Sequence, residues 1–108
     1  MNGNIPERDW KVWRVLADEA LNRFCQKIME EAAEFADSEG SAHERYIQMY
    51  QHVKKRDRQI GEVFDGLSRS RAYLQIALAV RKRIVKRDEL SRLSEETQKV
   101  IVTMLNGG

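Results

Sequence analysis

Cysteine occurs once in these 108 residues, at Cys25, and proline once, at Pro6. A single cysteine excludes an intrachain disulfide framework. Long hydrophobic runs are missing: the longest central stretch free of charge runs only from Ala72 to Val80, whereas a membrane span needs about 20 apolar residues. Charges interrupt the first twenty residues every few positions, which leaves no room for the apolar segment of a secretory signal. What the chain does have is charge, 33% of all residues, beside 42% hydrophobic residues. A chain poor in proline and rich in charge reads as one soluble, cytoplasmic, all-α domain over 1–108, with 1–5 and 106–108 expected to fray.

Neither sign of charge dominates, since 19 Lys and Arg face 17 Asp and Glu for a net +2. The distribution is uneven. Residues 1–53 carry net −4 and residues 54–108 net +6, with most of the basic excess between 54 and 87. Such a dipole suits an anionic partner such as nucleic acid. It equally suits a basic segment that complements the acidic one, within the chain or across an oligomer.

Pro6 fits the first turn of a helix, where its missing N–H has no partner to lose. Glu7 and Asp9 follow at the positive end of the helix dipole. Trp10, Trp13, Ala17, Leu21, Phe24, Ile28, Ala32 and Phe35 then recur at steps of three and four, which predicts a helix from about 6 to 37 with one buried face. Gly40 is placed to end it. Ser41-Ala42-His43-Glu44 has the form of a capping box. A second stripe runs Tyr46, Tyr50, Val53, Asp57, Ile60, Phe64, Leu67, Arg71, Leu74 and Leu78. Gly61 and Gly66 invite a break, yet the stripe keeps its phase through both. The spacing therefore predicts one long helix over about 42–83 rather than a hairpin broken at Gly66. Ile84 and Val85 should tuck a connection onto the core, and Asp88-Glu89-Leu90 should begin a short helical turn. Ser94 is the expected N-cap of a last helix whose apolar side is Val100, Ile101, Met104 and Leu105. The fold expected is a bundle of three to five helices built around the long central one.

A forty-residue helix is ~60 Å long, far beyond the ~13 Å radius of gyration of a compact chain this size. Its stripe needs cover, and a second copy is the simplest source. Asp57 and Arg71 interrupt the stripe, and a buried charge needs a partner. On one straight helix they lie ~21 Å apart. In an antiparallel homodimer crossing near Phe64, each is equally far from the centre, so Asp57 of one copy faces Arg71 of the other. The interface expected on this reading is Tyr50, Val53, Asp57, Ile60, Phe64, Leu67, Arg71 and Leu74. The alternatives are that both charges sit at the solvated edge of the stripe, or that each pairs with another helix. Trp10, Trp13, Phe24, Tyr46, Tyr50, Phe64 and Leu74 are expected in the core or the interface.

Few residues promise chemistry. His43-Glu44 begins like a zinc motif, but Ile47 stands where the second histidine belongs. His43 and His52 fall on opposite sides of a regular helix. Cys25 has no histidine partner in view and reads as a small core residue. Glu30-Glu31-Ala32-Ala33-Glu34 and Glu62-Val63-Phe64-Asp65 resemble the motif pair of the MazG-like all-α NTP pyrophosphohydrolases. That resemblance implies Mg²⁺ held by Glu31, Glu34, Glu62 and Asp65, in an oligomeric helical bundle. Against it, Glu62 projects away from the apolar stripe. Solvated helix-face acids are the simpler reading, and no cofactor is expected. For nucleic acid, a continuous helix would put Arg58, Arg69, Arg83 and Arg87 on one side, where they could track phosphates.

Ile5-Pro6-Glu7-Arg8-Asp9-Trp10, His43-Glu44-Arg45-Tyr46, Arg69-Ser70 and Leu93-Ser94-Glu95-Glu96-Thr97 together resemble a family of short all-helical bacterial proteins over most of the chain. The resemblance implies the all-α fold and brings no activity or site residue. The function expected is a non-catalytic, homo-oligomeric interaction or structural module, its partner a second copy or another protein. Nucleic-acid binding through 54–87 and Mg²⁺-dependent nucleotide hydrolysis are the alternatives.

Overall fold

The structure, a computed structural model, describes residues 4–107. Four α-helices form it: α1 (Glu7–Ala36), α2 (Ala42–Phe64), α3 (Ala72–Arg81) and α4 (Glu95–Gly107). Short 3-10 turns at Arg69–Arg71 and Arg87–Arg92 join the later ones, and no strand occurs among the described residues. The molecule is an all-α bundle, and it is elongated. Its extents are 57 × 23 × 23 Å and its radius of gyration is 16.6 Å, against ~13 Å for a compact chain of this length.

The termini of the helices follow local chemistry. Pro6 precedes α1, and its carbonyl accepts the Trp10 N–H at 2.9 Å. Gly40, at φ +116°, turns the chain between α1 and α2 in the left-handed region that a side chain would disfavour. The Ser41 hydroxyl accepts the Glu44 N–H at 3.1 Å and starts α2. The Arg45 guanidinium reaches across the turn to the carbonyl oxygens of Ala36 and Gly40, satisfying groups that the end of α1 leaves open.

The long central helix is not continuous. α2 stops at Phe64, Asp65 takes an extended conformation (φ −66°, ψ 129°), and Gly66 turns at φ +63°. The break is held from further along the chain. The buried Gln75 side chain donates to the carbonyls of Asp65 and Gly66, and the Arg71 guanidinium donates to that of Asp65. The persistence of the apolar phase was coincidental. In α3 the buried residues are Ala72, Gln75, Ile76, Ala77, Ala79 and Val80. The stripe members Arg71 and Leu74 are exposed, and Leu78 is half-buried. The turn did reset the phase.

The core gathers at one end. Trp13, Leu16, Ala17, Ala20, Phe24 and Ile28 of α1 pack with Val63, Ile76, Ala79, Ile84, Val85, Leu90, Leu93 and Ile101. Each large apolar side chain buried there contributes roughly 1.5–3 kcal/mol. Ile5, expected to fray, is fully buried, and its carbonyl accepts from the Arg69 guanidinium at 3.2 Å. α4 continues through Gly107; residues 1–3 and 108, the rest of the expected frayed ends, lie outside the described residues.

A buried carboxylate ties the bundle together. Asp9 is completely buried. Its Oδ1 accepts the Ser94 N–H at 2.8 Å, and its Oδ2 accepts the hydroxyls of Ser94 and Thr97. The Arg8 guanidinium also meets Oδ1, at 2.7 Å. Burial pushes the Asp9 carboxyl upward, but these hydrogen bonds and the Arg8 charge outweigh it and hold the group below its ordinary value. Ser94 in turn caps α4 through the Thr97 N–H. The acid that seemed to serve only the dipole of α1 thus anchors the start of α4.

Candidate functional site

Beyond the core, α1 and α2 continue as a bare antiparallel hairpin. From Met29 to Glu62 no residue is buried, and Val63 is the only buried residue of α2. The inner face of this arm mixes charged and apolar residues, with Ala32, Phe35 and Met49 half-buried beside Glu31, Arg45, His52 and Arg56. Arg45, Met49, His52 and Arg56 turn toward α1, and the contact centres on Glu31. Arg56 grips its carboxylate from Nε at 3.1 Å and Nη2 at 2.9 Å, while His52 Nε2 lies 2.7 Å from Oε1. The His52 ring packs on Phe35 at 5.0 Å, and the Arg56 guanidinium lies over the Phe24 ring at 5.5 Å. Burial raises the Glu31 carboxyl, but the hydrogen bonds and charges of Arg56 and His52 outweigh it and leave the group below its ordinary value. A charged clasp therefore does the work that apolar residues do in the bundle.

Other apolar residues of α2 are exposed. Tyr46 is 59% exposed, Ile47 37%, Tyr50 54% and Val53 39%. The rings of Tyr46 and Tyr50 stack at 6.4 Å. On α2 Tyr46, Tyr50 and Val53 share one side with Asp57, adjoining the Arg45–His52–Arg56 face, and Tyr46 borders a groove with Ala36, Arg45 and Met49. The sequence stripe is real, but its N-terminal half lies on the outside of the protein.

The expected dimer seam does not survive as one line. Tyr50, Val53 and Asp57 are exposed on α2, whereas Ile60 and Phe64 pack against the bundle core. Leu67 and Arg71 sit in the broken connection, and Leu74 is exposed on α3. The pairing of Asp57 with a second copy's Arg71 about Phe64 required one straight helix, and the break at 65–71 removes that premise.

The four carboxylates do not converge. Glu31 is committed to Arg56 and His52, Glu62 pairs with Lys82, and Glu34 and Asp65 are exposed. Glu31 stands level with His52, ten residues or ~15 Å along α2 from Glu62. Among the described residues no group of three or more His, Cys, Asp or Glu is placed to hold a metal ion. The Mg²⁺ site implied by the MazG-like motifs does not fit this arrangement.

The basic residues do not form one track either. Arg58 borders an open groove with Asp57, Glu62 and Asp65. Arg69 is turned to the Ile5 carbonyl. Arg83, at φ +60°, and Arg87 lie beyond the break, where with Lys86, Val80 and Val85 they line a separate groove of ≈ 400 Å³. Cys25 is half-buried and His43 is exposed. No helix among the described residues is long and apolar enough to cross a membrane.

Compared with known proteins, the chain matches no family model, no curated protein and no solved structure. Two groups of residues escaped the sequence reading: the Glu31–His52–Arg56 clasp and the Asp9–Ser94–Thr97 anchor. The spacing of His52 and Arg56 on one helix face signals that they can act together, but nothing local names Glu31 as their partner. Asp9 meets residues 85 and 88 positions away, a pairing without a local signal.

Proposed function

We propose that this chain is a non-catalytic interaction module that works as a homodimer through the outer face of α2. The observation that carries the reading is the exposed apolar side of α2, formed by Tyr46, Ile47, Tyr50 and Val53, on an arm held together inside by the Glu31 clasp. Tyrosine in a mixed aromatic and aliphatic patch is the composition of interface centres. The stacked tyrosines also supply large contact area at small entropic cost. Light scattering tests it. The wild type elutes as a dimer at micromolar concentration, and Tyr50→Asp elutes as a folded monomer with an unchanged circular dichroism spectrum. A monomeric wild type across that range overturns the reading.

A second reading has one specific observation in its favour. Arg83, Lys86 and Arg87 border an open groove, and no ion pair among the described residues engages Arg83 or Arg87. The groove could meet backbone phosphates of a nucleic acid. Binding of arbitrary RNA or DNA that weakens steeply with salt, and that Arg83→Gln/Arg87→Gln abolishes, supports it. Salt-independent or absent binding ends it.

A further inference from the structure

The run Arg81-Lys82-Arg83-Ile84-Val85-Lys86-Arg87 contains five cations and no acid. The fold divides them. Arg81 donates to the Met104 carbonyl and Lys82 pairs with Glu62, so these two hold α3 to α4 and to α2. Arg83, Lys86 and Arg87 are exposed and line a groove with Val80 and Val85. No acid lines that groove. Glu89, the acid that feels the Lys86 charge, is held by Arg23 and by the Lys86 N–H.

The backbone at Arg83 is unusual. α3 ends in a tight turn, in which the Arg83 N–H donates to the Val80 carbonyl at 3.0 Å. The Ile84 and Val85 N–H groups donate to that of Ala79 at 2.9 and 3.1 Å. The turn delivers Ile84 and Val85 to the core, and it requires a left-handed residue where glycine is usual. Arg83 fills that position at φ +60°, alone among the described residues other than glycine. A side chain strains the backbone there. Nothing within the chain offsets the strain, since the Arg83 guanidinium has no hydrogen bond or ion pair among the described residues. The negative end of the α3 dipole favours a cation, but Arg81 and Lys82 already stand there.

We infer that Arg83 is the leading phosphate-binding residue of this groove, kept in a conformation suited to glycine because its guanidinium binds the backbone of a nucleic acid beside Lys86 and Arg87. The inference rests on the nucleic-acid reading above and names the residue that carries it. Strain kept at an exposed cation points to function rather than to stability. A guanidinium presents planar donors that match two phosphate oxygens at once. An open groove bordered by three cations without a salt bridge suits a strand of phosphates passing through, whereas a single nucleotide wants an enclosed pocket.

Arg83→Gly separates this role from a structural one. It relieves the turn and removes the guanidinium, so the melting temperature should rise by about 2–5 °C. Affinity for a short DNA duplex or single-stranded RNA of arbitrary sequence should fall about ten-fold or more, and the slope of log affinity against log salt should shrink by about one. Lys54→Gln/Lys55→Gln, which removes two exposed cations of α2, should leave binding unchanged. ATP and inorganic phosphate should compete only at far higher phosphate concentration than the strand. An Arg83→Gly variant that does not melt higher, or that binds as tightly as wild type, overturns the inference, as does ATP that competes phosphate for phosphate. If Arg83→Gly binds normally and Arg87→Gln does not, the nucleic-acid reading stands and only the role of Arg83 falls. If wild type binds neither DNA nor RNA, both fall.

Discussion

The two ends of this molecule are built on opposite plans. The bundle end buries its apolar residues and spends one carboxylate, Asp9, to lock two helix starts together. The arm buries nothing fully and is clasped by Glu31, His52 and Arg56, with Tyr46, Ile47, Tyr50 and Val53 left exposed. α1 runs through both ends without interruption, so the difference lies not in that helix but in what packs on it. Where α3 and α4 cover it, hydrophobic burial dominates. Where only α2 accompanies it, two helices leave too little enclosed space for a core, and ion pairing with partly shielded groups takes over. An amphipathic helix is thus not proof of a buried face; it is proof of a face that needs cover from somewhere.

Equivalent truncations should separate the two ends. Trp13→Ala in the bundle should cost about 3–5 kcal/mol, because the cavity is enclosed on all sides. Tyr46→Ala in the arm should change the stability of the monomer by less than about 0.5 kcal/mol. Urea denaturation of both variants measures the contrast, and similar losses would erase it.

Asp9→Asn comes next in size. It removes a charge that accepts from Ser94 and Thr97 inside the bundle, and should cost about 2–4 kcal/mol. The wild type should also show the pH signature of the anchor. Since the folded Asp9 carboxyl lies below its ordinary 3.8, the folded state holds fewer protons than the unfolded one in that region. The stabilisation is complete above about pH 4 and is lost as the pH falls further, through the folded value. Asp9→Asn should flatten that part of the acid denaturation profile.

Glu31→Gln should act locally. Arg56 and His52 lose the carboxylate charge and one of its two acceptor oxygens, and backbone amides of α2 between Arg45 and Arg56 should exchange about ten-fold faster, while global unfolding moves by no more than about 1 kcal/mol. The two glycines at the end of α2 should act in opposite directions. Gly66→Ala should cost about 1 kcal/mol, because φ +63° disfavours a side chain. Gly61→Ala, within α2 and meeting only the mobile Asp65 carboxylate, should stabilise by a few tenths of a kcal/mol. Thermal melts of the two should shift in opposite directions.

Much of the fold was legible because its signals are local. The span of α1 follows from its three-and-four periodicity, and Ser41 and Ser94 stand as caps where their short polar side chains predict them. The short turn after Lys86 and the burial of Ile84 and Val85 were likewise readable. The end of α2 was not, because Gln75 stabilises it from ten residues ahead. Periodicity is blind to such a contact, and α3, apolar on most sides, extends the stripe of α2 by chance although its buried face has a new phase. The candidate surface was half legible. Tyr46, Tyr50 and Val53 stood out as apolar, but which side of the hairpin they occupy depends on the grip of His52 and Arg56 on Glu31, and no neighbouring residue encodes that.

The Asp9 anchor also sets an order of events. The arm joins residues close in sequence, so it can form as soon as residue 64 has been made, on the timescale of helix and loop closure. The first turn of α1 waits. Its carboxylate stays solvated until Ser94 and Thr97 exist, so bundle closure is a late, long-range step, slowed by the loop it must close.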